Sequence, residues 1–217
     1  MQVKELMSTK VVTVSEDKTM LEAREVMLNN NYRRLPVVDD IRRIRGIITD
    51  GDVGRSQPSD ASTLSKYEAS YLLSKLKVKD IMTKAVITVH QDDGVEIAAY
   101  QLYKNKIGAL PVVDDENKLC GIITDSDVFR AFVDIMGYNK TSTRLTIDVT
   151  DKVGVMADLC QIFKERGINI INVVTHNRGD VTEIMIRADM TNGMDVVEQI
   201  REAGYNITDI STLKAAR

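Results

Sequence analysis

The amino-acid sequence predicts an α+β fold: two tandem β-α-β-β-α repeats followed by a smaller, ferredoxin-like β-α-β-β-α-β unit. Two observations predict it. Leu35-Pro36-Val37-Val38-Asp39-Asp40 recurs as Leu110-Pro111-Val112-Val113-Asp114-Asp115, and Gly46-Ile47-Ile48-Thr49-Asp50 recurs as Gly121-Ile122-Ile123-Thr124-Asp125, at one constant offset and without a gap. Self-similarity at a fixed period marks a duplicated structural unit. Past Phe132 the repeat stops and the order of apolar patterns changes.

Each repeat opens on a turn, Val3 to Met7 or Val78 to Met82, followed by a short β segment, Val11 to Val14 or Val86 to Val89. A helix comes next. In the second copy Val95, Ala98, Ala99 and Leu102 share one helical face, and in the first Met20, Ala23 and Met27 do so with Val26 beside them. A strand from Leu35 or Leu110 follows, with Pro36 or Pro111 suited to its start or edge. The Asp39-Asp40 and Asp114-Asp115 pairs mark turns, a second strand ends at Ile48 or Ile123, and a closing helix begins near Asp52 or Asp127. One copy is too small to bury both faces of its sheet, so the copies are expected to pack together. The predicted division is residues 1–56 for the first repeat, 57–77 for a helical linker, 78–136 for the second repeat and 142–217 for the last unit. In the linker Gln57-Pro58-Ser59-Asp60 reads as a turn or helix start, and Leu64, Tyr67, Tyr71 and Leu72 as an apolar stripe.

The third segment begins after Gly137-Tyr138-Asn139-Lys140-Thr141-Ser142. Arg144 to Val149 alternates as a strand. Asp151-Lys152-Val153-Gly154 turns into a helix that carries Val155, Leu159, Ile162 and Phe163 on one face and stops at Gly167. Ile168 to Thr175 and Thr182 to Ala188 form a hairpin around Asn177-Arg178-Gly179-Asp180. Asn192 to Ala203 is the second helix, with Val196, Val197 and Ile200 inward, and Tyr205 to Leu213 the last strand.

Composition removes several function classes. The 217 residues are 43% hydrophobic, with a net charge of −3 and both signs mixed along the chain. No clustered basic surface suggests nucleic acid, no long apolar run suggests a membrane span, and the N-terminus lacks the apolar stretch of a signal peptide. A cytoplasmic location is the default expectation. Cys120 and Cys160 read as reduced core cysteines, His90 and His176 stand alone, and no catalytic or metal-binding motif is present. A metal-dependent phosphoesterase reading would use the Asp39-Asp40 and Asp114-Asp115 pairs, whose place at hairpin turns is the stronger explanation of them.

The chemistry concentrates in Thr49-Asp50-Gly51-Asp52 and Thr124-Asp125-Ser126-Asp127, each between a strand and a helix. A helix start offers N–H groups to a phosphate, a Thr hydroxyl adds a hydrogen bond, and an Asp accepts from ribose hydroxyls. Thr-x-x-Asp at a helix start is equally a capping pattern, and duplication copies caps too. Residues alone leave both roles open.

The opening Val-Lys-x-x-Met, the Leu-Pro-Val-Val-Asp strand and Gly-Ile-Ile-Thr-Asp-x-Asp-Val resemble CBS domains paired in a Bateman module, over Val3 to about Phe132. The resemblance implies an adenosyl ligand bound between the repeats: AMP, ADP, ATP or S-adenosylmethionine. It implies that Thr49, Asp52, Thr124 and Asp127 hold phosphate and ribose, with Thr13, Val14, Thr88 and Val89 flanking the base. It also implies a role for the residues before and within the Pro strands: Arg33 and Arg34 in one copy, Gly108, Ala109, Leu110 and Pro111 in the other. The two arginines read as phosphate ligands on one side or as solvated surface residues, and the second copy lacks that charge.

From Arg144 to about Leu213 the chain resembles an ACT domain, on Asp151-x-x-Gly154 and Gly167-Ile168-Asn169-Ile170-x-Asn172. That resemblance implies an amino-acid effector near Asp151, Val153, Gly154, Asn169 and Asn172, or an ACT fold used for dimerisation alone. Val153 stands where many ACT domains carry Pro. The order CBS, CBS, ACT resembles the acetoin-utilisation AcuB family. Taken together, the resemblances imply a non-catalytic regulator without a resident cofactor or metal. It would be a homodimer acting on an unidentified protein, with no nucleic-acid or membrane partner. The alternative is a structural assembly protein with no nucleotide.

Overall fold

The computed structural model describes residues 1–56, 71, 73–138, 140–150, 152–190 and 193–214. The chain divides into two compact units, Met1–Val128 and Phe129–Arg217. The linker reading over residues 57–70 and 72, and the expectations at Asn139, Asp151 and Asn192, lie outside the described residues.

In the first unit α1 (Val3–Leu6) precedes α2 (Met20–Asn30), β1 (Arg34–Val38), β2 (Ile44–Thr49) and α3 (Asp50–Arg55). The second copy repeats the order as α4 (Val78–Ile81), β3 (Val89–His90), α5 (Val95–Asn105), β4 (Ala109–Val113), β5 (Leu119–Thr124) and α6 (Asp125–Ile135). α6 runs across the division between the two units. The first β segment of copy one reduces to a single parallel bridge, Val14 to Val37; its counterpart β3 pairs Val89 with Val112. Leu35 sits opposite Ile48 and Leu110 opposite Ile123, all four fully buried.

α2 begins with a reciprocal cap: Glu22 N donates to Thr19 Oγ1 at 3.2 Å and Thr19 N to Glu22 Oε2 at 2.8 Å. Lys18 and then Thr19 hold the Glu22 carboxyl down to about 2 from its ordinary 4.5. A depressed carboxyl contributes stability above its unfolded value and loses it as pH falls through the folded one. The first turn of α2 is therefore expected to fray between pH 4.5 and 2, read as faster amide exchange at Glu22 and Ala23. Unchanged protection at those amides would contradict the cap's role.

The two copies exchange their opening segments. Val3 N and Lys4 N donate to Asp93 O and Gln91 O, both at 2.9 Å, and Ser8 bridges Ile122 on β5. In return Val78 N donates to Lys18 O at 2.9 Å, and Thr83 bridges Ile47 on β2. Val3 thus belongs to the apolar cluster of Val89, Ala98, Leu102, Leu110, Val112 and Ile123. Val78 belongs to that of Met20, Ala23, Leu35, Val37 and Ile48. The exchange explains the glycines of the repeated motif. A side chain at Gly46 would overlap Met82, and one at Gly121 would overlap Met7, each from the other copy.

The second unit contains β6 (Ser142–Thr150), α7 (Val155–Glu165), β7 (Ile170–Arg178), β8 (Val181–Ala188), α8 (Met194–Glu202) and β9 (Asn206–Leu213). Its sheet has the order β7-β8-β6-β9 with every neighbouring pair antiparallel, the ferredoxin-like arrangement. One face of the sheet packs on the helices through Leu145, Ile147, Ile184 and Ile186 against Leu159, Phe163, Val197 and Ile200. α7 ends at Gly167, whose φ of +65° is the left-handed conformation that favours glycine.

Two expectations change. Cys160 is exposed on α7 rather than buried, because the inward face is taken by Val155, Leu159, Ile162 and Phe163. Cys120 is partly buried; its thiol donates to Val112 O at 3.4 Å and is pushed up from its ordinary pKa by burial. The hairpin carboxylates are turn ligands: Asp39 Oδ1 accepts from Ile41 N and Arg43 N at 3.2 and 2.8 Å, and Asp114 Oδ1 from Glu116 N and Lys118 N, both at 2.9 Å.

Candidate functional site

Among the clefts of the first unit, two bring walls from both copies together at the Thr-x-x-Asp helix starts. The wider, of about 630 Å³, has Ser8 and Lys10–Val12 on one side, Asn31–Arg34 and Pro36 beside them, and Ile122 with Thr124–Ser126 opposite. The narrower, of about 360 Å³, has Thr83 and Ala85–Ile87, then Ile107–Ala109 and Pro111, facing Ile47, Thr49 and Asp50. Their sizes fall in the range of small-molecule sites. The segment exchange produces this arrangement. Bridges from Ser8 to Ile122 and from Ile47 to Thr83 lay the opening segment of one copy against the last strand of the other. The helix start after that strand then faces the exchanged segment.

The sequence-predicted residues divide between three positions. Thr49, Gly108, Ala109, Pro111, Arg33 and Arg34 line the narrow cleft, and Thr124, Gly108, Arg33 and Arg34 the wide one. Arg33 and Arg34 therefore belong to the wall between the clefts, not to one side. Lys10–Val12 and Ala85–Ile87 provide the walls expected of Thr13, Val14, Thr88 and Val89. Val14 and Val89 are buried in the two cores because they make the parallel bridges to Val37 and Val112. Leu110 is likewise a core residue at 0% exposure.

At both helix starts the capping pattern is formed. Thr49 N and Oγ1 donate to Asp52 Oδ2 at 2.8 and 2.7 Å, and Asp52 N donates back to Thr49 Oγ1 at 3.2 Å. Thr124 and Asp127 repeat this at 3.0, 2.7 and 3.3 Å. Asp52 is 8% exposed, and its other oxygen pairs with Arg55. The remaining first-turn donors are engaged as well: Asp50 N donates to Arg33 O and Asp125 N to Gly108 O, while Gly51 N and Ser126 N donate to the side chains of Asp50 and Asp125. These first-turn N–H groups are thus already hydrogen-bonded within the protein. The positive charge offered to a ligand comes from side chains: Arg33 and Arg34 in both clefts, and Lys10 in the wide one. Lys10 was not legible as a site residue. Its only signal was that the repeat places Ala85 at the matching position.

Among the described residues predicted for an effector in the second unit, Val153 and Gly154 do not meet Asn169 and Asn172 within one chain. Val153 is fully exposed, and Gly154 opens α7 at φ +101° with open space around it. Both follow the end of β6, at Thr150 opposite Val181. Asn169 and Asn172 lie at the other end of the sheet, where β7 starts opposite Ala188 and Arg187. Antiparallel pairing through β8 makes β6 and β7 run the same way, so the two pairs occupy opposite ends.

His90, which stands alone in the sequence, acquires neighbours in the fold. Its Nε2 lies 3.2 Å from Asp115 Oδ1, and Asp92 is close enough to complete a three-ligand cation cluster. Asp92 is already paired with Lys4 Nζ at 2.7 Å, which also pushes the carboxyl below its ordinary pKa.

Comparison with known proteins identifies both kinds of domain in the chain. The CBS domain pattern matches residues 3–56 and 78–134, and the ACT domain pattern matches residues 143–201. A homoserine O-acetyltransferase of Methanosalsum zhilinae is 36% identical over 126 residues, which span 58% of this chain and 23% of that protein. The chain thus matches less than a quarter of that relative's length. Among solved structures, the CBS domain pair of protein MJ0100 in complex with 5'-methylthioadenosine and S-adenosyl-L-methionine is 30% identical with a TM-score of 0.50, covering 61% of this chain and 95% of that one. CBSX2 in complex with AMP is 28% identical with a TM-score of 0.53, covering 62% and 98%. The AcuB protein of Vibrio cholerae is 28% identical with a TM-score of 0.53, covering 63% and 93%. No helix among the described residues is long and apolar enough to cross a membrane. The chain belongs to the CBS-domain family, as a tandem CBS pair followed by an ACT domain.

Proposed function

We propose that this protein is a non-catalytic regulator whose CBS pair binds adenosyl ligands in the two clefts, with the ACT unit serving dimerisation or a second small-molecule response. The observation that carries the reading is the construction of each cleft from an exchanged segment of one copy and the Thr-x-x-Asp helix start of the other. A ligand there touches both copies at once. It therefore shifts any equilibrium in their arrangement by its differential affinity for the two states. The solved CBS pairs with AMP or with 5'-methylthioadenosine and S-adenosyl-L-methionine support the ligand class. Both outer strands of the ACT sheet, β7 and β9, leave an edge open to a second copy.

The clefts differ in the ligand they suit. Lys10, Arg33 and Arg34 give the wide cleft three cations, which fit AMP, ADP or ATP. Arg33 and Arg34 also line the narrow cleft, but Ala85, Val86, Ile87 and Ile107 make it more apolar, suited to an uncharged adenosyl thioether. The test is thermal unfolding of the full chain with AMP, ADP, ATP, GTP, S-adenosylmethionine and 5'-methylthioadenosine. An adenine ligand at about 100 times its dissociation constant is expected to add about 2.7 kcal/mol. Lys10→Ala is expected to weaken ATP about tenfold, the value of one partly exposed charge-assisted hydrogen bond, and to leave 5'-methylthioadenosine unchanged. If no adenine ligand shifts the midpoint, the Thr-x-x-Asp boxes are caps alone and the chain is an assembly protein.

A further inference from the structure

We infer that the face of the ACT sheet turned away from α7 and α8 binds a small carboxylate anion between Arg144 and Arg187. The inference is independent of the nucleotide reading. Arg144 on β6 sits directly opposite Arg187 on β8, and Arg187 sits opposite Asn172 on β7. The neighbours Leu145 and Ile186 point into the helix-packed core, so alternation places this row on the other face. Arg187 is 6% exposed. Its polar partner is a neutral one, the Ser142 hydroxyl, which accepts from Nη1 at 3.0 Å. Arg144 Nη2 pairs with Asp209 at 2.9 Å. Among the described residues, two adjacent guanidinium groups therefore share one carboxylate.

A buried charge without a counter-charge is costly, and a guanidinium does not escape the cost by losing its proton. Burial and the neighbouring Arg144 lower the pKa of Arg187 from its ordinary value, the mark of an environment that disfavours the cation. Three buried polar atoms of the row have no hydrogen-bond partner: Arg144 Nε, Arg187 Nε and Asn172 Oδ1. A carboxylate has two oxygens for the two Nε–H donors and supplies the missing negative charge. An adjacent hydroxyl or amino group on the same molecule would donate to Asn172. The row is roofed by the end of α6 and the turn after it: Asn172 Nδ2 donates to Ile135 O at 2.7 Å, and a side chain at Gly137 would press on Arg187 Cδ and Ile171. Arg144 keeps 35% of its side chain exposed, which leaves one wet edge for entry.

The test is the melting midpoint of the full chain in sodium acetate, sodium glycolate or sodium phosphate, each against sodium chloride at constant ionic strength. Acetate and glycolate are expected to raise the midpoint by several degrees over chloride at saturation, glycolate at lower concentration because its hydroxyl reaches Asn172. Arg187→Met should weaken the response at least tenfold. Arg34→Ala, in the nucleotide clefts, should leave it intact. In chloride alone Arg187→Met should melt no lower than the wild type, because it removes an uncompensated charge and keeps the aliphatic stem. Arg144→Met gives the same readout should Arg187→Met not fold. The proposal is overturned if neither carboxylate exceeds chloride, if phosphate alone acts, or if the response survives in both arginine variants.

Discussion

Val3→Asp is expected to destabilise the second CBS repeat, not the first in which it stands, by about 3–5 kcal/mol. Val3 is 0% exposed among Val89, Ala98, Leu110, Val112 and Ile123, all from the second copy. An aspartate there is a charge buried without a partner. Amide exchange reads the outcome residue by residue: protection should fall first at Leu110, Val112 and Ile123, and later at Leu35, Val37 and Ile48. Val78→Asp should give the reverse order, because Val78 packs in the first copy's cluster. Loss of protection in the mutated residue's own repeat would refute the exchange of opening segments. The proposed function depends on that exchange, since the same segments carry Lys10–Val12 and Ala85–Ile87 into the clefts.

Phe163→Ala is expected to cost the ACT unit about 3–5 kcal/mol, the usual price of an aromatic truncated to a cavity in a packed core. Phe163 is 1% exposed and shares its cluster with Leu145, Leu159, Ile186 and Ile200. No residue of that cluster belongs to the clusters of the CBS pair. The variant should therefore lower a melting transition that adenine ligands do not move, while the midpoint shift they cause elsewhere persists. A single transition in which Phe163→Ala also abolishes the nucleotide response would show that the two units do not unfold separately.

Several features of the site lay within the reach of the chain's own pattern. Leu35-Pro36-Val37-Val38 and its copy became paired strands because apolar, β-branched runs bounded by Asp turns have few other uses. Thr49-x-x-Asp52 and Thr124-x-x-Asp127 are local motifs, and the capping bonds they make span three residues. The faces of α7 and α8 followed from helical spacing. The misses share a cause. Cys160 was read from an apolar neighbourhood in sequence, but its exposure depends on which side of α7 meets the sheet. At the helix starts, Asp50 N and Asp125 N donate to Arg33 O and Gly108 O, from segments distant in sequence, a pairing no local pattern announces.

The sequence by itself determined the duplication, the order of elements, the helix caps and the ferredoxin-like third unit, because propensity, periodicity and capping act within a few residues of the chain. Tertiary structure alone decided which copy receives each opening segment, that Lys10 joins Thr124 in the wide cleft, and that Arg144, Arg187 and Asn172 form one row. Each of these is a contact across tens of residues, set by the packing of two cores and the register of a sheet, and such contacts leave no local period to read.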